Sequence, residues 1–123
     1  MSDASIPLTT EEWEEWGNPN EATYYDYMRS YSPIDNVQPD ATYPSVLIVS
    51  GLNDPRVAYW EPAKWAQVLR ATIANGDDVL LKMDLAAGHF SASDRYRYLR
   101  ELAFDFAWLL DKLGTADSIP KTK

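Results

Sequence analysis

The chain has 123 residues, a length that suits one domain or part of one. Its net charge of −8 argues against binding to a nucleic-acid backbone, and no run approaches the ~18 apolar residues of a transmembrane helix. The chain has no cysteine, which excludes disulfides and cysteine-ligated zinc. The N-terminus lacks the basic and apolar regions of a signal peptide. We therefore expect a cytoplasmic protein.

Two short helices are predicted in the N-terminal part. "TTEEWEEW" favours a helix with Thr9 or Thr10 as its cap and acidic residues in its first turn, ended by "GNPN". "NEATYYDYMRSYSP" favours a second helix that ends at Ser32-Pro33. The rest of the segment before residue 45 reads as loop.

A strand, helix, strand, helix order follows. Residues 45–50 form a continuous apolar run, typical of a strand that a parallel sheet buries on both faces. A helix over 62–74, a strand over 79–83 and a helix over 93–113 complete the pattern, which predicts an α/β fold with a right-handed crossover. Two strands alone make no stable sheet, so either further strands lie elsewhere or the chain forms a homo-oligomer. The predicted apolar stripes of the helices are Trp65, Val68, Leu69, Thr72 and Ile73, and Tyr98, Leu102, Phe106, Leu109 and Leu113.

Two polar residues follow the predicted strands. Asp54 comes after the first strand, and His89, the single histidine, comes after the second. Because the carboxyl ends of neighbouring parallel strands meet at one edge, we expect the two loops to lie together. An aspartate followed by a histidine is the second half of the Ser…Asp…His order of α/β-hydrolases.

The nucleophile of such a triad is missing from the sequence. No G-x-S-x-G elbow occurs, Ser50 lies within the strand, and Ser91 and Ser93 follow the histidine in its own loop. We therefore expect the serine to lie outside this chain, with Met1 an internal methionine of a longer protein.

Four runs resemble one family of serine peptidases. "SIPLTTEEWEEWGNP", "YYDYMRSYSPIDNV", "YPSVLIVSGLNDPRVAYWEPAKW" and "AGHFSASDRYRY" are similar to the C-terminal segment of the oligopeptidase B enzymes of the prolyl oligopeptidase family. The resemblance covers residues 1–113 and implies the C-terminal portion of an α/β-hydrolase catalytic domain. It implies a preceding β-propeller, short peptides cut after Arg or Lys as substrates, and no cofactor. Gly114 ends the last predicted helix, so 114–123 is expected to be a flexible tail.

The resemblance also assigns individual residues. Asp54 in "GLNDPRV" matches the family's triad acid, and His89 in "AGHFS" matches its triad histidine. Glu12 in "LTTEEWEEWGNP" matches a carboxylate that recognises the basic side chain before the cleaved bond, and Arg56 matches an arginine near the substrate. One histidine and scattered carboxylates predict no metal site.

Two positions depart from the family pattern. Glu11 stands where family members carry Gly, which bears on the specificity pocket. Phe90 stands where many members carry Gly after the triad histidine. The family's serine elbow, oxyanion tyrosine and propeller are all expected before Met1.

Structural interpretations of the same residues stay open. Asp54 before a proline is a common turn residue, and a lone loop histidine is often a surface residue. Glu12 also suits a solvated helix start, and Arg56 could pair with any acid. At the level of function, the alternatives are a non-catalytic acidic interaction module and a carboxylesterase of the same fold.

Overall fold

A computed structural model describes residues 2–6, 8–90 and 94–115. The chain divides into two compact units, Met1–His89 and Phe90–Lys123. The first unit contains five main elements and the second contains one; in chain order they are α1 (Thr9–Trp16), α2 (Ala22–Tyr31), β1 (Val46–Gly51), α3 (Trp60–Thr72), β2 (Val79–Asp84) and α4 (Arg95–Lys112). No helix in the described ranges is both long enough and apolar enough to cross a membrane.

Helices α1 and α2 form where the sequence predicts them. The predicted cap of α1 is wrong: Leu8 occupies the cap position without a side-chain hydrogen bond, and Thr9 is buried. The end of α1 depends on Gly17, whose φ of 97° favours glycine and whose N–H donates to the carbonyl of Trp13. Helix α2 stops immediately before the Ser-Pro dipeptide, because the residue before a proline avoids helical backbone.

Strands β1 and β2 pair in parallel and in register, from Val46 opposite Val79 to Gly51 opposite Asp84. Helix α3 connects them and packs against the sheet. The core of the first unit consists of Ile48, Ala66, Leu69, Ile73 and Val79, with Val37, Tyr43, Val46, Trp65 and Leu81 packed against it.

The apolar run predicts a strand that a complete parallel sheet buries on both faces, and in this chain only one face of β1 is covered. Ile48 lies in the core, but the next residue, Val49, is 55% exposed. Successive side chains of a strand point to opposite faces, so the α3 side of the sheet is covered while the Val49 side is not.

The predicted apolar stripe of α3 is confirmed at the centre of the helix, where Leu69 is 1% exposed. The turn after α3 is tied to the chain before β1 by Asn75. Its Oδ1 accepts the N–H of Tyr43 at 3.0 Å, and its Nδ2 donates to the Tyr43 carbonyl at 2.8 Å. Arg70 Nε also donates to the carbonyl of Val79 at 3.0 Å. These bonds place the start of both strands relative to the helix.

The second unit is α4, which is capped by Asp94: its Oδ1 accepts the N–H of Arg97 at 2.7 Å. Ser93, the predicted first residue, and 116–123, most of the predicted tail, lie outside the described residues. The predicted stripe is largely on the surface, since the following four of its members are each more than one-third exposed: Tyr98, Phe106, Leu109 and Leu113.

Candidate active site

The carboxylate of Asp54 organises the loop after β1. Its Oδ1 accepts the backbone N–H groups of Arg56 at 2.8 Å and of Val57 at 2.9 Å, an Asx-type turn. The side chain is only 8% exposed. The turn and the burial together hold the carboxylate in one orientation. Asp54 is therefore a turn residue, as one of the two interpretations of the sequence has it, and this does not prevent a second role.

Backbone hydrogen bonds join this loop to the one after β2. The N–H of Leu52 donates to the carbonyl of Asp84 at 2.8 Å, and the N–H of Asn53 donates to the carbonyl of Ala87 at 3.1 Å. The Asn53 side chain adds a bond to the Leu85 carbonyl at 3.3 Å. The two loops therefore continue, in irregular form, the pairing of the strands that precede them.

Gly51 permits this close approach. A Cβ at this position would overlap the carbonyl oxygen of Gly88 and lie 2.7 Å from that of Ala87. Only a residue without a side chain lets the histidine loop cross the end of β1 at this distance.

Asp54 and His89 are hydrogen-bonded at the point where the loops converge. His89 Nδ1 lies 2.9 Å from Oδ2 and 3.1 Å from Oδ1 of Asp54. The residues are 35 positions apart in the chain, and both belong to the first unit. The structure thus brings together the two residues that sequence reasoning selected as an acid–histidine pair.

The charge of Asp54 determines which nitrogen of the neutral His89 ring carries the hydrogen. Burial works to raise the pKa of the carboxyl, but the N–H groups of Val57 and Arg56 and the ring of His89 outweigh it, so this pKa lies below its usual range. The carboxylate is consequently ionised at neutral pH and can only accept hydrogen bonds. Nδ1 must then carry a proton, which makes Nε2 the basic nitrogen of the neutral ring. The His89 side chain is 32% exposed.

The other predicted residues occupy different places. Arg56 is exposed, and its backbone belongs to the Asp54 turn. Glu12 lies in α1 and is partly buried, whereas the three other glutamates of that helix, Glu11, Glu14 and Glu15, are exposed. Phe90 is exposed in the second unit.

The structure describes one of the three serines that were considered as nucleophiles. Ser50 lies within β1, opposite Met83, as predicted. Ser91 and Ser93 lie outside the described residues. In the described part of the chain, no group of three or more His, Asp and Glu side chains is arranged to hold a metal ion.

Three residues that shape the pair were missed by sequence reasoning: Gly51, Asn53 and Asp84. A glycine at the end of an apolar strand is a signal of close backbone approach. An aspartate at the end of a strand is a turn signal. Neither signal says which other loop is approached, because that depends on the pairing of strands.

Comparison with known proteins places the chain in a family. The family model described as "prolyl oligopeptidase family" matches residues 1–116 of the chain. The chain is 51% identical to Protease 2 of Moraxella lacunata over 93% of its own length and 48% identical to dipeptidyl aminopeptidase BI of Pseudoxanthomonas mexicana over 94%. It superposes with a TM-score of 0.84 and 64% identity on oligopeptidase B from Trypanosoma brucei with covalently bound antipain, over 91% of its length.

The chain spans 16% of the length of each of these proteins. The structural match confirms the α/β-hydrolase fold class that the resemblance implies, and the sequence matches confirm the resemblance of the four quoted runs. Three observations agree with the same family: the paired acid and histidine at adjoining strand ends, the parallel βαβ unit, and the match over residues 1–116. The chain belongs to the prolyl oligopeptidase family.

Proposed function

We propose that this chain supplies the acid and the histidine of a serine peptidase that cleaves short peptides after Arg or Lys. The observation that carries the proposal is the 2.9 Å contact between His89 Nδ1 and the buried, ionised carboxylate of Asp54. The nucleophilic serine is supplied by polypeptide beyond these 123 residues, together with a β-propeller.

In this proposal each nitrogen of His89 has its own role. Nε2 accepts the proton of the serine hydroxyl as its oxygen attacks the peptide carbonyl, and then returns that proton to the departing amine. Water repeats the cycle on the acyl-enzyme and releases the acid. Asp54 stays ionised throughout and stabilises the imidazolium that forms in each step. None of these steps needs a cofactor.

The preference for basic substrates rests on Glu12. It is the one glutamate of α1 that is partly shielded from solvent, which separates it from the three exposed glutamates of the same helix. A shielded carboxylate binds guanidinium through parallel hydrogen bonds and disfavours neutral side chains. Arg56, two residues after the acid in sequence, is placed near the bound peptide in this proposal.

The name of one relative leaves a second specificity to be tested. Protease 2 fits an endopeptidase, whereas dipeptidyl aminopeptidase BI names an enzyme that removes dipeptides. The covalently bound antipain of the Trypanosoma brucei enzyme fits a nucleophilic mechanism in that relative. Mass spectrometry of the products from a peptide with internal arginines distinguishes the two specificities, since the first leaves fragments cut after arginine and the second leaves dipeptides.

A chimera tests the proposal directly. The matching segment of the Trypanosoma brucei oligopeptidase B is replaced by this chain, and hydrolysis of an arginyl amide is measured. We expect activity that His89→Ala reduces by about 10⁶-fold. A folded chimera that stays inactive, or a His89→Ala variant that keeps its activity, contradicts the role of His89. Size-exclusion chromatography and circular dichroism establish that both proteins are folded.

The isolated chain provides the complementary test. It should neither hydrolyse the arginyl amide nor form an adduct with a serine-directed phosphonate, because the nucleophile is placed elsewhere. An adduct would show that a serine of this chain is the nucleophile. In the chimera, a carboxylesterase would cleave neutral esters without preference for arginine, and a non-catalytic acidic module would give no turnover at all.

A further inference from the structure

A second aspartate shapes the histidine loop from its other end. Asp84, the last residue of β2, accepts the backbone N–H of Ala86 at 2.9 Å and that of Ala87 at 3.0 Å, both through Oδ1. These bonds fold the first turn of the loop that ends at His89. Asp84 is partly buried and has no part in the proton transfers described above.

The turn made by Asp84 is locked to the loop that carries the acid. The N–H of Ala87 is bound by Asp84, and its carbonyl is bound by the N–H of Asn53 at 3.1 Å. Asn53 directly precedes Asp54, and Ala87 lies two residues before His89. The carbonyl of Asp84 also accepts the N–H of Leu52 at 2.8 Å. A short series of hydrogen bonds therefore joins Asp84 to both members of the pair.

The two strand ends use the same turn for different purposes. Asp54 accepts the N–H groups two and three residues ahead of it, and Asp84 does the same in its own loop. Asp54 additionally contacts the ring of His89. Asp84 influences the ring through the backbone that carries it.

We propose that Asp84 is a positioning residue whose carboxylate oxygen sets the histidine loop so that His89 Nδ1 meets Asp54. The assignment rests on the proposed function, in which the Asp54–His89 pair acts as acid and base. The turn needs an acceptor oxygen and not a charge. Asparagine at this position therefore preserves it, whereas alanine removes it.

The single histidine of the chain makes the test direct, because all imidazole nitrogen signals belong to His89. Nitrogen-15 NMR of the 123-residue chain, at a pH where the ring is neutral, measures the ratio of the Nδ1–H and Nε2–H tautomers. We expect the Nδ1–H form to dominate in the wild type and in Asp84→Asn. In Asp84→Ala we expect that ratio to fall by about three- to tenfold, the range expected for losing one net hydrogen bond.

Each remaining outcome bears either on the role of Asp84 or on the Asp54–His89 pair. A wild-type ratio in a folded Asp84→Ala variant, with the backbone amide spectrum preserved, overturns the positioning role. An equal loss in Asp84→Asn overturns it as well, since charge and not the turn would then be responsible.

If Asp84→Ala does not fold, Asp84→Ser replaces it in the test. The serine hydroxyl forms the turn more weakly, so the tautomer ratio must fall, and a wild-type ratio overturns the role. A wild-type chain that its backbone amide spectrum shows to be folded, but that lacks a dominant Nδ1–H form and in which Asp54→Asn changes nothing, overturns the catalytic pair itself.

Discussion

Asp54 performs two tasks with one carboxylate. Through Oδ1 it closes the turn after β1, and through both oxygens it contacts the ring of His89. The turn residue and the acid of a catalytic pair are thus not competing interpretations. The backbone bonds fix the orientation of the carboxylate and keep it ionised, which is what an acid that orients an imidazole requires.

The depressed pKa of Asp54 predicts a pH-dependent contribution to stability. Because the folded-state pKa lies below the unfolded value of about 3.9, the contribution is fully present above that value and is lost as the pH falls through the folded pKa. Asp54→Asn should lower the free energy of unfolding at pH 7 by about 1–3 kcal/mol and by less at pH 3.

Urea titrations of both proteins at the two pH values measure this difference. Asp26→Asn, on the exposed surface of α2, serves as the control and should stay within about 0.5 kcal/mol of the wild type. A difference between Asp54→Asn and wild type that is equal at pH 3 and pH 7 would contradict the prediction.

The partial burial of Glu12 predicts its effect on specificity. Glu12→Gln in the chimera should lower kcat/KM for an arginyl substrate by about 10²-fold, a loss typical of removing one partner of a shielded charge pair, with little change for a neutral substrate. Glu14→Gln on the exposed side of α1 is the matched control and should change neither. Equal effects of the two variants would indicate only the general attraction of a cation to an acidic helix.

At the scale of elements, the site is the continuation of a two-stranded parallel ladder. The register that pairs Gly51 with Asp84 also brings Leu52 and Asn53 onto the histidine loop. The βαβ connection supplies this register, since α3 packs its apolar stripe on the sheet and Asn75 anchors the segment before β1. The contact between Asp54 and His89, which are 35 residues apart in the chain, is therefore a consequence of strand pairing.

Gly51→Ala should disturb the pair without changing any of its side chains. The new Cβ would overlap the carbonyl of Gly88, so the histidine loop must move away. We expect a loss of stability of about 1–3 kcal/mol, as for other overpacked sites, and a weaker Nδ1–H signal of His89. Urea unfolding and nitrogen-15 NMR measure the two effects.

Gly88→Ala is the matched control for that substitution. Its Cβ would lie 3.4 Å from the carbonyl oxygen of Asn53, an ordinary contact, and it also lies beside the histidine. The prediction fails if Gly88→Ala is as disruptive as Gly51→Ala.

At the scale of the whole molecule, the chain exposes much apolar surface. Val49 on the sheet and most of the α4 stripe are more than one-third exposed in the described residues, as are four tyrosines of α2: Tyr24, Tyr25, Tyr27 and Tyr31. Relatives about six times longer are consistent with further polypeptide covering such surfaces, because the chain accounts for 16% of their length. Strands and helices of α/β-hydrolases are normally covered on both sides of the sheet.

The isolated chain should accordingly be only marginally stable. With one covered sheet face and a small core, we expect a free energy of unfolding below the ~5 kcal/mol at the lower end for native domains. Urea unfolding followed by circular dichroism measures it, and binding of a hydrophobic dye reports the exposed surface. A cooperative monomer more stable than this, without dye binding, would contradict the expectation.

The sequence by itself determined the α/β order of elements, the stripe that α3 buries and the selection of Asp54 and His89, because periodicity, turn residues and the run of family-like motifs are local properties of the chain. It could not determine that the α4 stripe remains on the surface, or that Leu8 and not a threonine occupies the cap position of α1. Only the tertiary structure decided these features, and only it revealed Gly51, Asn53 and Asp84 as the residues that hold two loops together. The physical reason is that burial and loop-to-loop hydrogen bonds depend on which distant segments meet, and that is settled by the pairing of strands.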